Sequence, residues 1–352
     1  MTKRSITISR RSMLVGMTGA VAAPMILRSS RAAANSGSVI FTSWGGSFQA
    51  YMKECVTEPF TKETGITVNI VPGPDNAKIK AMQLTGNVQI DVMENLGPII
   101  ASGAKQGFWE KLDPSMFDLA DMVAAPTSDS VPWTMWAGGI AWDPKKFGPG
   151  KHPSNFVEYW DLEKFPGRRL LRGMPNETME AALLADGVAP KDIYPLDVDR
   201  AFKALDRIKP SIASWVGPAT QTVTLAQTGE VDFSYSYAHR VKATTEGGGA
   251  PLAFSFDQNL LITERLVVPK GAPNRENAMK LVAYFLRPEV QVRLMNKFGS
   301  IPMSKKAAPE LSEAVRKWQP DLNNPKNLVH DDSYWADRLE AISLRFQQWV
   351  RT

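Results

Sequence analysis

The sequence predicts an α/β fold with mostly parallel strands, divided into two lobes. Segments typical of strands alternate with segments typical of helices along most of the chain, as in β–α–β units. Residues 35–352 exceed the length that one hydrophobic core usually organises, so two lobes are expected. A long extended stretch with glycines at its centre, Val131–Trp142, is where the chain would cross between lobes.

The first lobe begins with a strand at Ser38–Ser43. Apolar residues at helical spacing between Phe48 and Phe60 predict a helix, and Gly65 stands where a helix commonly ends. A strand, a helix, a second strand and a second helix are expected to follow at Ile66–Val71, Asp75–Thr85, Ile90–Met93 and Pro98–Gln106.

The second lobe and the return of the chain follow the same alternation. Strands are expected at Arg169–Arg172, Asp232–Tyr237 and Pro251–Phe256, and helices at Asn176–Asp186, Val198–Ile208 and Gln221–Thr228. A returning strand at Leu266–Pro269 would lead into helices at Asn274–Leu286 and Glu289–Phe298. We therefore expect one lobe from residues 35–136 and 265–308, a second from residues 137–264, and a C-terminal helical segment, residues 309–352, packed across both lobes.

Residues 1–34 have the features of an export signal. Arg10 and Arg11 lie in a twin-arginine motif within a basic start that contains no acidic residue. An apolar run of about 15 residues follows, shorter than the roughly 20 that a spanning helix needs. Three alanines then supply a cleavage site, which predicts a mature start at Asn35. We expect the twin-arginine translocase to export the protein to the periplasm.

Removing this leader changes what the charge implies. The whole chain has a formal net charge of +5, but all six basic residues of the leader would be lost, leaving 35 basic and 36 acidic residues. A basic surface for nucleic acid or anionic lipid is therefore not expected. The single cysteine, Cys55, has no partner in the chain for a disulfide, so we expect a buried thiol.

The motifs of common secreted enzymes are absent. The sequence contains no G-x-S-x-G, H-E-x-x-H or C-x-x-C motif, no dinucleotide fingerprint and no phosphate loop. The three histidines lie about 90 residues apart, without metal-ligand spacing. We therefore expect no enzyme and no cofactor, with an enzyme exported by the twin-arginine route as the alternative of another class.

Five stretches together resemble the periplasmic solute-binding proteins of ABC importers, especially the spermidine/putrescine-binding group. They cover the opening strand and helix, a strand before a ligand loop, the first crossover, a G-E-V turn and the return strand with its helix. In chain order they are Val39–Val68, Ile90–Met93, Ser130–Gly138, Thr228–Asp232 and Leu266–Pro288. The resemblance implies a type II periplasmic binding protein fold with two interlobe crossovers. It also implies a monomer that closes on its ligand at a hinge and docks on a membrane permease.

The same resemblance gives candidate ligand-binding residues. An ammonium group requires carboxylates, and aromatic faces suit its apolar body. Glu177 is also explained as a favourable acid at a helix start, and Trp136 as a side chain that packs the hinge. The positions that match the family's pocket are Trp44, Gly46, Glu94 and Asn95 on the loop after a strand, Trp136, Glu177, Tyr237, and Glu264 before the return strand.

The ligand expected from these residues is a small organic amine or related cation. An acid and a tyrosine that follow the first pocket tryptophan in polyamine binders are replaced here by Gly45, Gly46 and Ser47. Two alternatives stay open. Arginine forks would suit a zwitterion or phosphonate, and oxygen and imidazole ligands would suit ferric iron. The residues concerned are Arg172, Arg240 and Arg265 for the first, and Tyr235, Tyr237 and His239 for the second.

Overall fold

The computed structural model describes residues 37–45, 47–247 and 249–352. Gly46, Arg10, Arg11 and the expected cleavage site before Asn35 lie outside the described residues. Within those ranges, every helix is too short or too polar to cross a membrane.

The strands of the described chain join into one sheet, in the order β2-β1-β3-β9-β4-β7-β5-β6. Three short strands lie off this path: β8 and β10 pair with β4, and β11 pairs with β9. The strands are β1 (Ser38–Ser43), β2 (Thr67–Pro72), β3 (Val92–Leu96), β4 (Val131–Trp142), β5 (Arg169–Arg172), β6 (Ile212–Val216), β7 (Phe233–Tyr237), β8 (Ala253–Phe254), β9 (Leu260–Val267), β10 (Ile301–Pro302) and β11 (Leu328–Val329).

The sheet consists of two parallel groups joined by an antiparallel pair. Strands β2, β1 and β3 run parallel at one end, and β7, β5 and β6 run parallel at the other. The long strands β9 and β4 pair antiparallel with each other and with β3 and β7 respectively. This mixed topology differs from a mostly parallel sheet, because a chain that crosses between two parallel groups and returns contributes two strands of opposite direction.

Helices cover the sheet between these strands. They are α1 (Ser47–Met52), α2 (Glu58–Thr64), α3 (Asn76–Leu84), α4 (Gly97–Lys105), α5 (Phe156–Trp160), α6 (Pro175–Ala185), α7 (Val198–Ile208), α8 (Gln221–Gln227), α9 (Ala238–Thr244), α10 (Arg275–Phe285), α11 (Pro288–Phe298), α12 (Glu313–Arg316), α13 (Asp332–Ala336) and α14 (Leu339–Arg351). A π-helical turn at Lys53–Thr57 joins α1 to α2.

Local sequence signals explain where several of these helices begin and end. The Asp75 side chain accepts a hydrogen bond of 2.8 Å from the Ala77 amide and so caps α3. Gly65 ends α2 in the left-handed conformation, with φ of 75°, as glycine permits without steric cost. These two positions confirm the end of α2 and the start of α3 that the sequence predicts.

Two expected boundaries shift, and both shifts concern candidate ligand-binding residues. Glu94 and Asn95 lie inside β3, although the sequence predicts them on a loop after an earlier strand. Glu264 lies inside β9, which begins at Leu260 and not at Leu266. The sequence does not predict these parts of the two strands, because a buried strand is recognised mainly by an apolar run and polar residues interrupt that run here.

The expected crossing points between lobes lie within β4 and β9. The boundaries at residues 136/137 and 264/265 stay predictions, since residues 35–352 cluster as one unit by their contacts. The C-terminal segment contacts both parts of the chain. Its α13 packs on α4 and its α14 on α6, and the Trp349 indole donates to Asp206 at 2.8 Å.

A glycine in β4 is required by the close approach of Tyr235. A Cβ atom on Gly138 would collide with the phenol of Tyr235, which lies directly over it. We expect Gly138→Ala to lower the free energy of unfolding by about 1–3 kcal/mol in urea denaturation, because the core must shift to admit one methyl group. Gly148→Ala is the matched control, since no described heavy atom lies within 4 Å of its added Cβ. Equal stability of the two variants would contradict this account of β4.

Candidate functional site

Four candidate residues lie in or just after parallel strands. Trp44 directly follows β1, and Glu94 lies in β3. Tyr237 ends β7, and Glu177 follows β5 by a few residues. Ligands in α/β sheets bind at the carboxyl ends of parallel strands, because the connections there leave a crevice. Trp136 and Glu264 come from β4 and β9, which join the two parallel groups.

Glu94 and Glu264 form a carboxyl pair around Trp44. Oε1 of Glu94 accepts hydrogen bonds from Ser43 Oγ at 2.5 Å and from the Trp44 amide at 3.2 Å. Oε1 of Glu264 accepts from the Trp44 indole nitrogen. The two glutamates are diagonal neighbours on one face of the sheet, because Glu94 lies opposite Leu266.

Each carboxyl of this pair keeps one oxygen free. Both glutamates are fully buried, and their Oε2 atoms have no hydrogen-bond partner among the described residues. Burial raises the pKa of Glu94 well above its ordinary value, and the charge of Glu264 raises it further. Burial also raises the pKa of Glu264, against the opposing effects of Trp44 and Arg240. The pair therefore retains a proton at a pH where exposed glutamates have lost theirs.

Glu177 occupies a strained position and binds two tyrosines. Its φ is 75°, and in the described ranges no other residue except glycines has a positive φ. Oε2 of Glu177 accepts hydrogen bonds from Tyr235 at 2.9 Å and from Tyr237 at 2.7 Å. The side chain thus points toward β7 and makes no helix cap. Backbone strain at a buried polar residue is typical of functional sites.

Two arginines lie beside these acids. Arg172 is buried near Glu177 and Tyr237, and its Nε and Nη1 atoms find no hydrogen-bond acceptor in the described part of the chain. Arg240 Nε is likewise buried and unpaired there. Arg240 interacts electrostatically with Arg172, Tyr237 and Glu264. We call Glu94, Glu177, Glu264, Arg172 and Arg240 the mixed-charge cluster.

Aromatic rings line this cluster. The rings of Trp136 and Tyr237 meet edge to face with centroids 5.5 Å apart, and His239 lies 5.1 Å from Trp136. The indole nitrogen of Trp136 and both nitrogens of His239 lack partners among the residues described. Burial and the nearby charge of Arg240 hold the pKa of His239 well below its usual value, so this imidazole is neutral.

The remaining candidates lie elsewhere or lack support for their expected role. Asn95 follows Glu94 in β3, so it points to the opposite face of the sheet, where its amide oxygen accepts from the Leu96 amide. Arg265 pairs with Asp332 at 3.0 Å and not with the mixed-charge cluster. Gly46 lies outside the described residues. Across the described ranges, no three His, Cys, Asp or Glu side chains are placed to hold a metal ion.

The sequence predicts Arg172 and Arg240 as ligand-binding residues only for a zwitterion or phosphonate. It does not predict the contact of Ser43 with Glu94. A stronger signal was available for Arg172, because a charged residue that ends a four-residue buried strand requires a polar partner. Tyr235 and Tyr237 share one role in the structure. Both tyrosines donate to the same oxygen of Glu177, since residues two apart in a strand lie on one face.

The arrangement suits recognition of opposite charges on one small molecule. Free carboxyl oxygens near Trp44 accept hydrogen bonds from an ammonium group, and free guanidinium nitrogens donate to an anion. The glutamates are fully buried, so a ligand must separate the surrounding elements to reach them.

Comparison with known proteins identifies related chains. Residues 56–323 match the family described as bacterial extracellular solute-binding protein. The gamma-aminobutyric acid-binding protein of Pseudomonas aeruginosa is 33% identical over 333 residues, covering 91% of this chain and 92% of that protein. The spermidine/putrescine-binding periplasmic protein 1 of Haemophilus influenzae is 25% identical over 339 residues, covering 91% and 89%.

A solved structure shares the same architecture. The structure described as the Atu4243-GABA receptor superposes with a TM-score of 0.83 at 32% identity, covering 89% of this chain and 97% of that chain. This similarity confirms the α/β fold of periplasmic binding proteins, with two lobes, two crossovers and a C-terminal helical segment.

The raised pKa values of Glu94 and Glu264 predict a stability that falls as pH rises. The unfolded chain loses these protons near the ordinary glutamate pKa of 4.5, whereas the folded protein holds them to higher pH. Folding therefore binds protons above pH 4.5, and the ligand-free protein should become less stable from there upward. Urea unfolding between pH 5 and 8 measures this slope.

Glu94→Gln should flatten that slope, because glutamine keeps the shape of the carboxyl and cannot ionise. Glu163→Gln, at an exposed glutamate, should leave the slope as in the wild type. A Glu94→Gln variant whose stability keeps the wild-type pH slope would contradict the assignment.

Proposed function

Because this chain belongs to the bacterial extracellular solute-binding proteins, we propose that it captures a small zwitterion that carries an ammonium and a carboxylate on a short apolar chain. It is the substrate-binding component of an ABC importer for small amine ligands, and it works in the periplasm. The proposal keeps the amine expected from the sequence and adds an anionic group to it.

The mixed-charge cluster carries this proposal. Glu94 and Glu264, on β3 and β9, offer free oxygens to an ammonium group beside Trp44. Arg172 and Arg240 offer free nitrogens to a carboxylate. Trp136 and Tyr237 supply apolar ring surface that suits the methylenes between the two charges.

The balance of charge favours a zwitterion over a diamine. Tyr235 and Tyr237 hydrogen-bond to Glu177, and Arg172 acts on it electrostatically, so its charge is met within the protein. A second ammonium would have to lie close to Arg172 and Arg240, where like charges repel. The relative named for gamma-aminobutyric acid is more similar to this chain than the relative named for polyamines, in agreement with this choice.

Closure around the ligand follows from where these groups lie. The acids of β3 and β9 come from different parts of the sheet than Arg172, which ends β5, and Arg240, which follows β7. A ligand that contacts both sets stabilises only the closed form, so it shifts the population toward closure. The closed form would then deliver the unchanged ligand to a membrane permease.

We expect calorimetry to rank γ-aminobutyric acid above putrescine, spermidine and butylamine. Glu264→Gln should weaken the binding of γ-aminobutyric acid by about 2–5 kcal/mol, because the buried ammonium loses its charged partner. Arg240→Gln should weaken the binding of γ-aminobutyric acid, since its carboxylate needs the guanidinium. The binding of butylamine, which has no carboxylate, should stay the same or become tighter.

Arg207→Gln serves as the control, because Arg207 is half exposed and pairs with Asp186 at the surface. Tighter binding of putrescine than of γ-aminobutyric acid would reject the zwitterion and restore the diamine. Recovery of a chemically altered ligand after long incubation would instead indicate an enzyme.

We further propose that residues 1–34 direct export by the twin-arginine translocase. Replacing Arg10 and Arg11 together by lysine should leave the precursor in the cytoplasm, because the translocase reads the paired guanidinium groups. Cell fractionation measures the distribution, and N-terminal sequencing of the periplasmic protein should begin at Asn35. Unchanged export of the double lysine variant would show that another signal is used.

A further inference from the structure

We propose that His330 and Asp332 are positioning residues for ligand binding. They lie in the C-terminal segment, and they contact the three elements that present Glu94, Glu177 and Glu264 to the ligand. The inference rests on the proposed function for what is bound, and on geometry for how the acids are held.

Asp332 holds the strand that carries Glu264. Its Oδ2 atom accepts a hydrogen bond from Thr263 Oγ1 at 2.8 Å and another from Arg265 Nε at 3.0 Å. Thr263 and Arg265 flank Glu264 in β9 and point to the opposite face of the strand. Fixing both neighbours fixes the direction of the Glu264 side chain.

His330 links Asp332 to the helix that carries Glu177. Its Nε2 atom lies 3.1 Å from Glu180 Oε1, and its Nδ1 atom lies 3.7 Å from Asp332 Oδ1. Glu180 lies three residues after Glu177 in α6, just beyond the non-helical backbone at Asn176 and Glu177. Glu180 Oε1 also accepts from Tyr194 at 2.8 Å and from the Trp335 indole at 2.7 Å.

Asp332 also fits closely against the segment that follows Glu94. Gly97 begins α4 directly after β3, and any Cβ atom there would overlap the Asp332 carboxylate. The glycine therefore makes room for this carboxylate. One imidazole–carboxylate pair thus contacts or bridges to β9, α6 and the β3–α4 junction.

The network balances its own charge and needs nothing from the ligand. Burial alone would lower the pKa of His330, but Glu180 and Asp332 raise it to about 10, so the imidazole is protonated at neutral pH. Glu180 and Asp332 are the acids that face it, and Arg265 offsets the remaining charge of Asp332. A buried and self-neutralised network specifies geometry more than it adds stability.

His330→Gln tests the inference, because glutamine keeps a polar side chain of similar size without the charge. Hydrogen–deuterium exchange of the ligand-free variant should rise at least threefold at residues 92–97, 175–181 and 262–266, and stay unchanged at 67–72. The affinity for γ-aminobutyric acid should fall at least tenfold at a temperature where circular dichroism shows a folded protein.

Gly97→Ala displaces Asp332 from the opposite side and should reproduce both effects if His330→Gln fails to fold. Arg345 lies in the same C-terminal segment and forms an exposed ion pair with Asp199 of α7. Arg345→Gln breaks this pair and should change neither the exchange pattern nor the affinity. Uniform exchange across the sheet, or an unchanged pattern, would overturn the inference. Failure of the wild type to bind γ-aminobutyric acid would count against the proposed ligand, and the exchange pattern would still decide the role of His330.

Discussion

The structure depends on burying glutamates without pairing all of their oxygens. Glu94, Glu177 and Glu264 each keep one oxygen without a partner in the described part of the chain. An unpaired buried acceptor costs free energy, and an unpaired buried anion costs more. The resting protein reduces this cost with protons and with nearby arginines, and a cationic group would remove it. The proposed ligand would gain affinity by pairing its cationic group with these oxygens.

The sheet topology brings these acids together from distant parts of the sequence. The two parallel groups run in opposite directions, and the antiparallel pair β4–β9 passes between them. Glu264 and Trp136 reach the region because they lie in that pair. Glu94 lies inside β3, whereas Arg172 ends β5 and Glu177 and Arg240 follow β5 and β7. Both parallel groups are therefore needed to bring Glu94 together with the arginines.

Much of this architecture is readable in the sequence, for physical reasons. The boundaries of β4 and α7 follow from an unbroken extended run and from clear helical periodicity. The strand positions of Glu94 and Glu264 are harder to read, because the carboxyls interrupt the apolar pattern of buried strands. The contact of His330 with Glu180 joins residues 150 positions apart, and no local pattern encodes such a pairing. The sequence indicates Arg172 and Arg240 only for an alternative ligand, because it does not show that these arginines lie close to the acids in space.

The left-handed backbone at Glu177 limits how this site can change. At φ of 75° and ψ of −46° the backbone has the rare, strained conformation of a γ-turn centre, which glycine adopts most readily. Evolution or engineering for a different ligand therefore has few substitutions available at this position. Aspartate would keep the charge and shorten the reach toward Tyr235 and Tyr237, and glycine would relieve the strain and remove the carboxyl. New specificities should arise more readily at the arginines and aromatic walls, whose backbone tolerates any side chain.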